Sequence, residues 1–178
     1  MNDTVFNLTL AAFLLFANGF YVAAEFALVK TKGYRMDLMA EEGRFGARKT
    51  QHILKHIEAY LACCQLGISM ASLGLGWVGE PTVAAILEPI LYPLGMSPEA
   101  VHFTAFMIGF LVFSSLHIVV GEQVPKTLAI RQAEPVSQWI AYPLWISFIV
   151  FFPLNWALNA ASGWILRTIG VSKPSHED

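Results

Sequence analysis

The segment that decides the fold class reads VFNLTLAAFLLFANGFYVAAEFALV and covers residues 5–29. It holds 25 residues, whereas a helix of about 20 predominantly apolar residues already crosses the hydrocarbon core of a bilayer. A cleaved signal peptide is the alternative, but no Lys or Arg precedes the segment, and the segment is too long for the apolar region of such a peptide. We therefore expect a first transmembrane helix.

Three further apolar stretches follow, at residues 57–75, 101–120 and 136–165. Charged residues make up only 13% of the chain and hydrophobic residues 56%, whereas soluble domains carry about 25% charge. A length of 178 residues suits one domain. The composition thus predicts a single, all-α integral membrane domain over residues 1–178.

The basic residues predict which side of the membrane each connection occupies. Seven of the eleven lie between the first two stretches: Lys30, Lys32, Arg35, Arg44, Arg48, Lys49 and Lys55. None occurs from His56 to Pro125, and Lys126 and Arg131 come after the third stretch. Because basic connections stay on the cytoplasmic side, we expect the N-terminus outside and residues 31–55 in the cytoplasm.

The fourth stretch has two interpretations. It carries Pro135, Pro143 and Pro153, which interrupt helical hydrogen bonding, and several Trp and Tyr residues, which favour the headgroup region. If it crosses the membrane, Arg167 and Lys173 lie outside; if it lies along the interface, every basic residue is cytoplasmic. We favour two or three short amphipathic helices at the inner interface, with a proline-kinked fourth crossing as the alternative.

These observations predict three transmembrane helices and an interfacial helical belt on the cytoplasmic side. Gly74, Gly76 and Gly79 followed by Pro81 predict that the second transmembrane helix ends near this point. The expected segments are transmembrane helices at 4–30, 56–76 and 100–122, juxtamembrane helices at 31–55, an outer segment at 77–99 and the belt at 134–168.

Polar groups inside spanning helices are costly and therefore mark candidate functional sites. Each of the first three stretches carries several: Asn18 and Glu25; Gln65, Ser69 and Ser72; and Ser114, Ser115, His117 and Glu122. Within the first two stretches the spacing places them on one helical face. Oxygen-bearing side chains on three helices are the ligands that a hard cation such as Mg²⁺ prefers.

Glu122 lies in the sequence GEQVPKT at residues 121–127. Pro125 has no amide hydrogen, so the carbonyl of Gly121, four residues earlier, loses its helical partner. A freed carbonyl beside a carboxylate is a candidate cation site. The alternative is an ordinary proline-terminated helix with Glu122 in water near Lys126. Ser69 alone is typical of helix packing, and His117 of a buried hydrogen-bonding residue.

Other functional classes find little support. No basic patch or motif indicates binding to nucleic acid, and the adjacent Cys63 and Cys64 have no metal-binding spacing. Catalysis would require a nucleophile and a base, for which Ser69 and His117 are the only conceivable pair. We therefore do not expect an enzyme.

Three motifs, in order along the chain, resemble the membrane domain of the CorC and cyclin-M (CNNM) magnesium transporters. They are NGFYVAAEFALV at 18–29, QLGISMASLGLGWVGEP at 65–81 and GEQVPKT at 121–127. The resemblance implies a homodimer in the plasma membrane or bacterial inner membrane that exports Mg²⁺ by alternating access, coupled to Na⁺. A membrane scaffold or pore-forming, hemolysin-like protein is the alternative.

The resemblance also implies an ion site among the three helices. Its glutamate corresponds to Glu122 and its polar position on the second helix to Ser69, with Ser72 one turn further. Ala23 and Ala24 stand where relatives often have Ser or Gly, so a backbone carbonyl or Glu25 would substitute there. The complete set of expected ligands is Glu122, Ser69, Gly121, Ser72, Glu25, Ala24 and Gln65. Nucleotide-binding cytoplasmic CBS domains are expected in the full-length protein and are absent from this sequence.

Overall fold

The computed structural model describes residues 2–169, and every regular element in that range is helical. Helices α1 to α7 are, in chain order, Asn2–Lys30, Gly33–Glu41, Ala47–Lys55, Ile57–Leu91, Pro98–Leu116, Val124–Arg131 and Ala133–Thr168. A 3₁₀ turn, Tyr92–Leu94, precedes α5, and a π-helical segment, His117–Gln123, joins α5 to α6. The predicted all-α class is therefore confirmed for the described residues.

Four helical regions, rather than three, are long and apolar enough to cross a membrane. They are α1, α4 with its 3₁₀ turn, the rod formed by α5, the π-helical segment and α6, and α7. The protein is thus a multi-pass type of membrane domain. The fourth region, α7, has 36 residues, which is well above the length that a crossing requires.

The prediction that the second spanning helix ends near Pro81 is wrong, because α4 continues through Pro81 and Pro89 to Leu91. An internal proline removes only one backbone hydrogen bond, and here tertiary contacts favour continuation of the helix. The ring of Phe113 on α5 lies against Gly79, which has no side chain to obstruct it. Beyond the proline, Glu88 pairs with His102 of α5 at 2.8 Å. Contacts on both sides of Pro81 therefore hold α4 together.

The fourth apolar stretch is also one continuous helix and not the two or three short helices predicted. Pro143 and Pro153 both lie inside α7. Pro135 is the third residue of the helix, in the first turn, where the amide of a residue has no helical acceptor, so it breaks nothing. The half of α7 that precedes Pro153 carries nearly all of its buried residues, whereas Asn155 is the one buried residue described after it.

Close packing of α1 against α4 depends on small residues on α4. The aromatic ring of Tyr21 covers Gly67, where an added Cβ would lie 2.5 Å from the ring. One end of this interface is a buried core in which Ala24 and Leu28 of α1 pack with Cys63 and Cys64 of α4. Backbones that approach this closely place side chains of α1 within hydrogen-bonding distance of α4.

The first half of α7 is attached to α1, α2 and α3. Thr31, just after α1, donates a hydrogen bond to the Ala133 carbonyl at 3.2 Å, and Thr50 of α3 donates to the Ser137 carbonyl at 3.1 Å. Arg35 of α2 forms an ion pair with Glu134 at 3.1 Å. These bonds join the basic connection between α1 and α4 to the beginning of α7.

Candidate ion site

The π-helical segment lies where Pro125 removes a backbone donor. In an α-helix, the carbonyl of Gly121 would accept a hydrogen bond from the amide of residue 125, but proline has none. Residues 117–123 form wider turns instead, and the amide of Val124 bonds the carbonyl of Val119, five residues earlier. Such π-helical insertions frequently occur at functional sites.

Asn18 of α1 supplies the donor that Pro125 lacks. Its side-chain Nδ2 donates to the carbonyl oxygen of Gly121 at 3.0 Å, and the Asn18 side chain is completely buried. Gly121 has little room for a side chain, because an added Cβ would lie 2.8 Å from the ring of His117 and 3.1 Å from Asn18 Nδ2. The absence of a side chain at Gly121 therefore allows α1 and the π-helical segment to bond directly.

A chain of polar side chains extends from Asn18 across three helices and returns to the π-helical segment. Ser72 Oγ on α4 donates to Asn18 Oδ1 at 3.0 Å and lies 3.5 Å from His117 Nε2. His117 Nε2 in turn lies 3.7 Å from Glu122 Oε1. Because Ser72 has one proton and donates it to Asn18, the contact with His117 requires a proton on Nε2. The polar chain thus begins at Gly121 and ends at its neighbour, Glu122.

The wider turn explains why His117 and Glu122 face each other. In an α-helix, side chains five residues apart point about 140° away from one another. In a π-helical turn the backbone bonds join residues five apart, so their side chains lie on neighbouring faces. The missing amide of Pro125 therefore has two consequences, a carbonyl bound by Asn18 and a histidine beside the carboxylate.

The structure unites only part of the predicted ligand set. Ser72, Gly121 and Glu122 belong to the polar chain, whereas Gln65 and Ser69 are exposed and make no hydrogen bond to it. Ala24 is buried in the apolar core between α1 and α4, and Glu25 is half-buried without a hydrogen bond among the described residues. The roles of these four residues as ligands therefore remain predictions.

Two members of the polar chain, Asn18 and His117, are missing from the predicted ligand set. Both are polar residues within apolar stretches, which is the available sequence signal. That signal does not identify their partners, because Asn18 bonds a residue 103 positions away.

The charge in this cluster comes from one carboxylate. The Glu122 side chain is 46% exposed and that of His117 is 19% exposed. Part of the Glu122 side chain is therefore accessible from outside the helices. Lys126 is not its partner among the described residues, since its ammonium group lies over the ring of Phe26 at 4.6 Å. Glu122 is therefore available to a cation.

The donor atoms in the cluster are oxygens of the kind that hard cations prefer. Zinc sites are built from several His, Cys, Asp or Glu side chains that lie close together. Within residues 2–169, no three or more such side chains are grouped so that they could hold a metal ion. A carboxylate, a backbone carbonyl and a hydroxyl are hard oxygen donors, which suit Mg²⁺ when water completes the coordination shell.

Taken together, the fold and this cluster define a helical, multi-pass membrane domain with a polar centre at a broken helix. Comparison with known proteins identifies the family. The family model of the cyclin M transmembrane N-terminal domain matches residues 9–178. The chain therefore belongs to this family of transporter-type membrane domains. The predicted resemblance is thereby confirmed.

Individual relatives agree with this assignment. The chain is 38% identical over 174 residues to the UPF0053 protein YrkA of Bacillus subtilis, covering 98% of this chain and 40% of that protein. It is 39% identical over 150 residues to YugS of the same organism, covering 84% and 35%. A protein of Mycobacterium tuberculosis, Rv1841c, is 30% identical over 176 residues, covering 99% and 50%. The chain thus spans half or less of the length of these relatives.

Proposed function

We propose that this domain carries Mg²⁺ across the membrane through a site formed at Gly121 and Glu122. The observation that supports the proposal most directly is the buried bond between Asn18 and the Gly121 carbonyl at 3.0 Å, next to the only carboxylate of the polar chain. It joins α1 to the broken helix at the point where hard oxygen donors meet. Membership of the cyclin M family supports the same function.

In this proposal, Glu122 supplies the negative charge and Gly121 a second oxygen. A carbonyl oxygen has two lone pairs, so the Gly121 carbonyl can keep its bond to Asn18 while it faces an ion. Mg²⁺ takes six oxygens at about 2.0–2.1 Å and usually retains several waters. Ser72 is the nearest hydroxyl in the polar chain, and Ser69, Gln65, Glu25 and the Ala24 carbonyl are further proposed ligands. Inward Na⁺ flow is the proposed driving force for export.

Transport by the 178-residue chain is testable in proteoliposomes loaded with Mg²⁺ and radioactive sucrose. We expect Mg²⁺ release that saturates with Mg²⁺ concentration and increases when Na⁺ is added outside, while sucrose is retained. Simultaneous release of sucrose would show a pore in place of a transporter. Absence of Mg²⁺ release from liposomes that contain folded protein would contradict the proposal.

We further propose that α7 lies along the cytoplasmic interface and that α1, α4 and the α5–α6 rod make the three crossings. The contacts of α7 support an inclined path. Between Ala133, which bonds Thr31, and Phe148, α7 rises about 22 Å. Yet Phe148 stacks on Tyr60, with ring centroids 4.5 Å apart, and Tyr60 is only three residues, about 4.5 Å, into α4. The adjacent Ser147 accepts a hydrogen bond from Tyr21 at 3.1 Å, and Tyr21 lies ten residues, about 15 Å, before Thr31 in α1. Hence α7 is inclined to the spanning helices and advances along them by less than its own length.

Single cysteines in a variant without Cys63 and Cys64 test this topology. We expect a cysteine at Thr168 to resist an impermeant maleimide added outside intact cells, like one at Lys55. A cysteine at Glu99 should react. Labelling at Thr168 from outside would show that α7 crosses the membrane. The interfacial position of the fourth stretch also predicts a cytoplasmic C-terminus at residue 178, which lies outside the described residues.

A further inference from the structure

A groove separates α1 from the π-helical segment and α6, and these are the only elements among residues 2–169 that line it. Its volume is about 430 Å³, within the range of pockets that hold small molecules and cofactors. All ten residues that line it lack polar side-chain atoms. Those that define its course are Ala12, Gly19 and Ala23 on α1 and Val120, Val124 and Leu128 opposite.

The groove follows α1 for a considerable distance. Ala12 and Ala23 are eleven residues apart, which corresponds to about 16 Å of helix rise. Its wall toward α6 is exposed, since Val120, Val124 and Leu128 have 45%, 57% and 48% of their surface accessible. A long apolar groove with an exposed wall could hold a hydrocarbon chain lying parallel to a spanning helix.

Among residues 2–169, cationic side chains lie near one end of the groove. Lys126 follows the groove residue Pro125, and its ammonium group lies over Phe26, three residues beyond Ala23. Arg131 lies one turn beyond Leu128, is exposed and has no ion-pair partner among residues 2–169. The opposite end, at Ala12, has no Lys or Arg within ten residues in sequence. Charge is therefore placed where a lipid headgroup would be and is absent where its acyl chain would end.

We propose that this groove binds one anionic glycerophospholipid, with an acyl chain between α1 and α6 and its phosphate near Lys126 and Arg131. Apolar contact along the groove provides binding energy that any phospholipid shares, and the two cations provide the preference for negative charge. A basic residue near an anionic lipid surface contributes about fivefold in affinity. This inference concerns a site separate from the proposed magnesium ligands and does not depend on them.

The floor of the groove adjoins the candidate ion site. A Cβ added at Gly19 would lie 3.1 Å from Pro125 and 3.7 and 3.8 Å from the carbonyl oxygens of Val120 and Gly121. An acyl chain in the groove would therefore cover the lipid-facing side of the π-helical segment and exclude water from it.

Native mass spectrometry of delipidated protein tests the proposal, with phosphatidylglycerol and phosphatidylcholine added at equal concentrations. We expect one phosphatidylglycerol to be retained in preference to phosphatidylcholine. Replacing Lys126 and Arg131 together by Gln should lower this preference about 25-fold, at about fivefold for each cation. Replacing Arg48 and Lys55 by Gln provides the control, because both are exposed on α3, which forms no part of the groove, and should leave the preference unchanged.

Trp substitutions that fill the groove distinguish the contribution of apolar contact to lipid binding from that of the two cations. Ala12→Trp and Val124→Trp both place an indole at an exposed position of the groove, and should weaken the retention of both lipids, whereas Ala160→Trp on α7 should not. Equal retention of both lipids by the unaltered protein would overturn the proposal. The proposal would also be overturned if the Trp variants retain the lipid but no longer form a homodimer. That result would show that a second copy of the chain covers the groove.

Discussion

Glu122→Gln is expected to weaken Mg²⁺ binding by roughly 100-fold, equivalent to about 2.7 kcal/mol. The substitution keeps the size of the side chain and removes the one negative charge of the polar chain. The Glu122 carboxylate is partly shielded from water, with 46% of the side chain exposed, and charges attract more strongly in such surroundings than in bulk water. Isothermal titration calorimetry on the purified domain measures the change.

Glu58→Gln is the matched control for this substitution. Glu58 is an exposed carboxylate in the first turn of α4, outside the polar chain, so its replacement should leave the affinity for Mg²⁺ unchanged. If Glu122→Gln remains folded and binds Mg²⁺ as tightly as the unaltered protein, Glu122 is not the charged ligand. An equal loss in both variants would indicate a general effect of surface charge.

Asn18→Leu is expected to destabilise the domain by about 2–5 kcal/mol and to weaken Mg²⁺ binding as well. Leucine has the same branching of side-chain heavy atoms but cannot donate to the Gly121 carbonyl or accept from Ser72, which are both 3.0 Å from Asn18. A buried polar group left without a partner costs about 1–3 kcal/mol. The change removes the side-chain donor of the buried Gly121 carbonyl and also the acceptor of the half-buried Ser72 hydroxyl, which adds a smaller cost because Ser72 keeps its contact with His117. Thermal unfolding in detergent reports the loss of stability.

The Asn18 prediction has a control on the surface and a test of mechanism. Asn159 is an exposed asparagine on α7, and Asn159→Leu should change the unfolding temperature little. Ser72→Ala removes the bond to Asn18 Oδ1 but keeps the bond from Nδ2 to Gly121, so its effect should be smaller than that of Asn18→Leu. Full stability and full Mg²⁺ affinity in Asn18→Leu would show that the bond to Gly121 is dispensable.

The two expected losses have different causes, and the measurements separate them. Glu122 is partly exposed, and the contact of its carboxylate with His117 Nε2, at 3.7 Å, is longer than a hydrogen bond. Its replacement should therefore affect ion binding much more than stability. Asn18 is fully buried between two helices, so its replacement should affect both. A variant of Glu122 that unfolds would accordingly point to a structural role.

Much of the architecture could be predicted because the relevant signals are local. The apolar run at residues 5–29 corresponds to α1, and the three motifs correctly indicated the cyclin M family. The break at residues 117–123 agrees with the prediction from Pro125, which lacks the amide that the Gly121 carbonyl would bond in an α-helix. Gly121 and Glu122 were therefore identifiable before the fold was known.

The helix ends predicted from prolines were wrong where tertiary packing favours continuation of the helix. Pro81, Pro143 and Pro153 were expected to end or divide helices, yet each lies inside a long helix. A proline costs a limited amount of free energy, whereas contacts of α4 with two neighbouring helices recover more than that over many residues. Counting prolines therefore underestimates the length of a helix that is packed along its sides.

Length, hydrophobicity and charge were sufficient to establish a helical membrane domain with its basic connection between the first two spans, because these properties belong to each segment alone. The packing of the helices decided which polar residues meet. Asn18 reaches Gly121 and Ser72 because Gly67 and Gly121 let the backbones approach closely, and His117 faces Glu122 because the helix widens before Pro125. Such contacts join residues far apart in the chain, so no segment carries enough information to specify them.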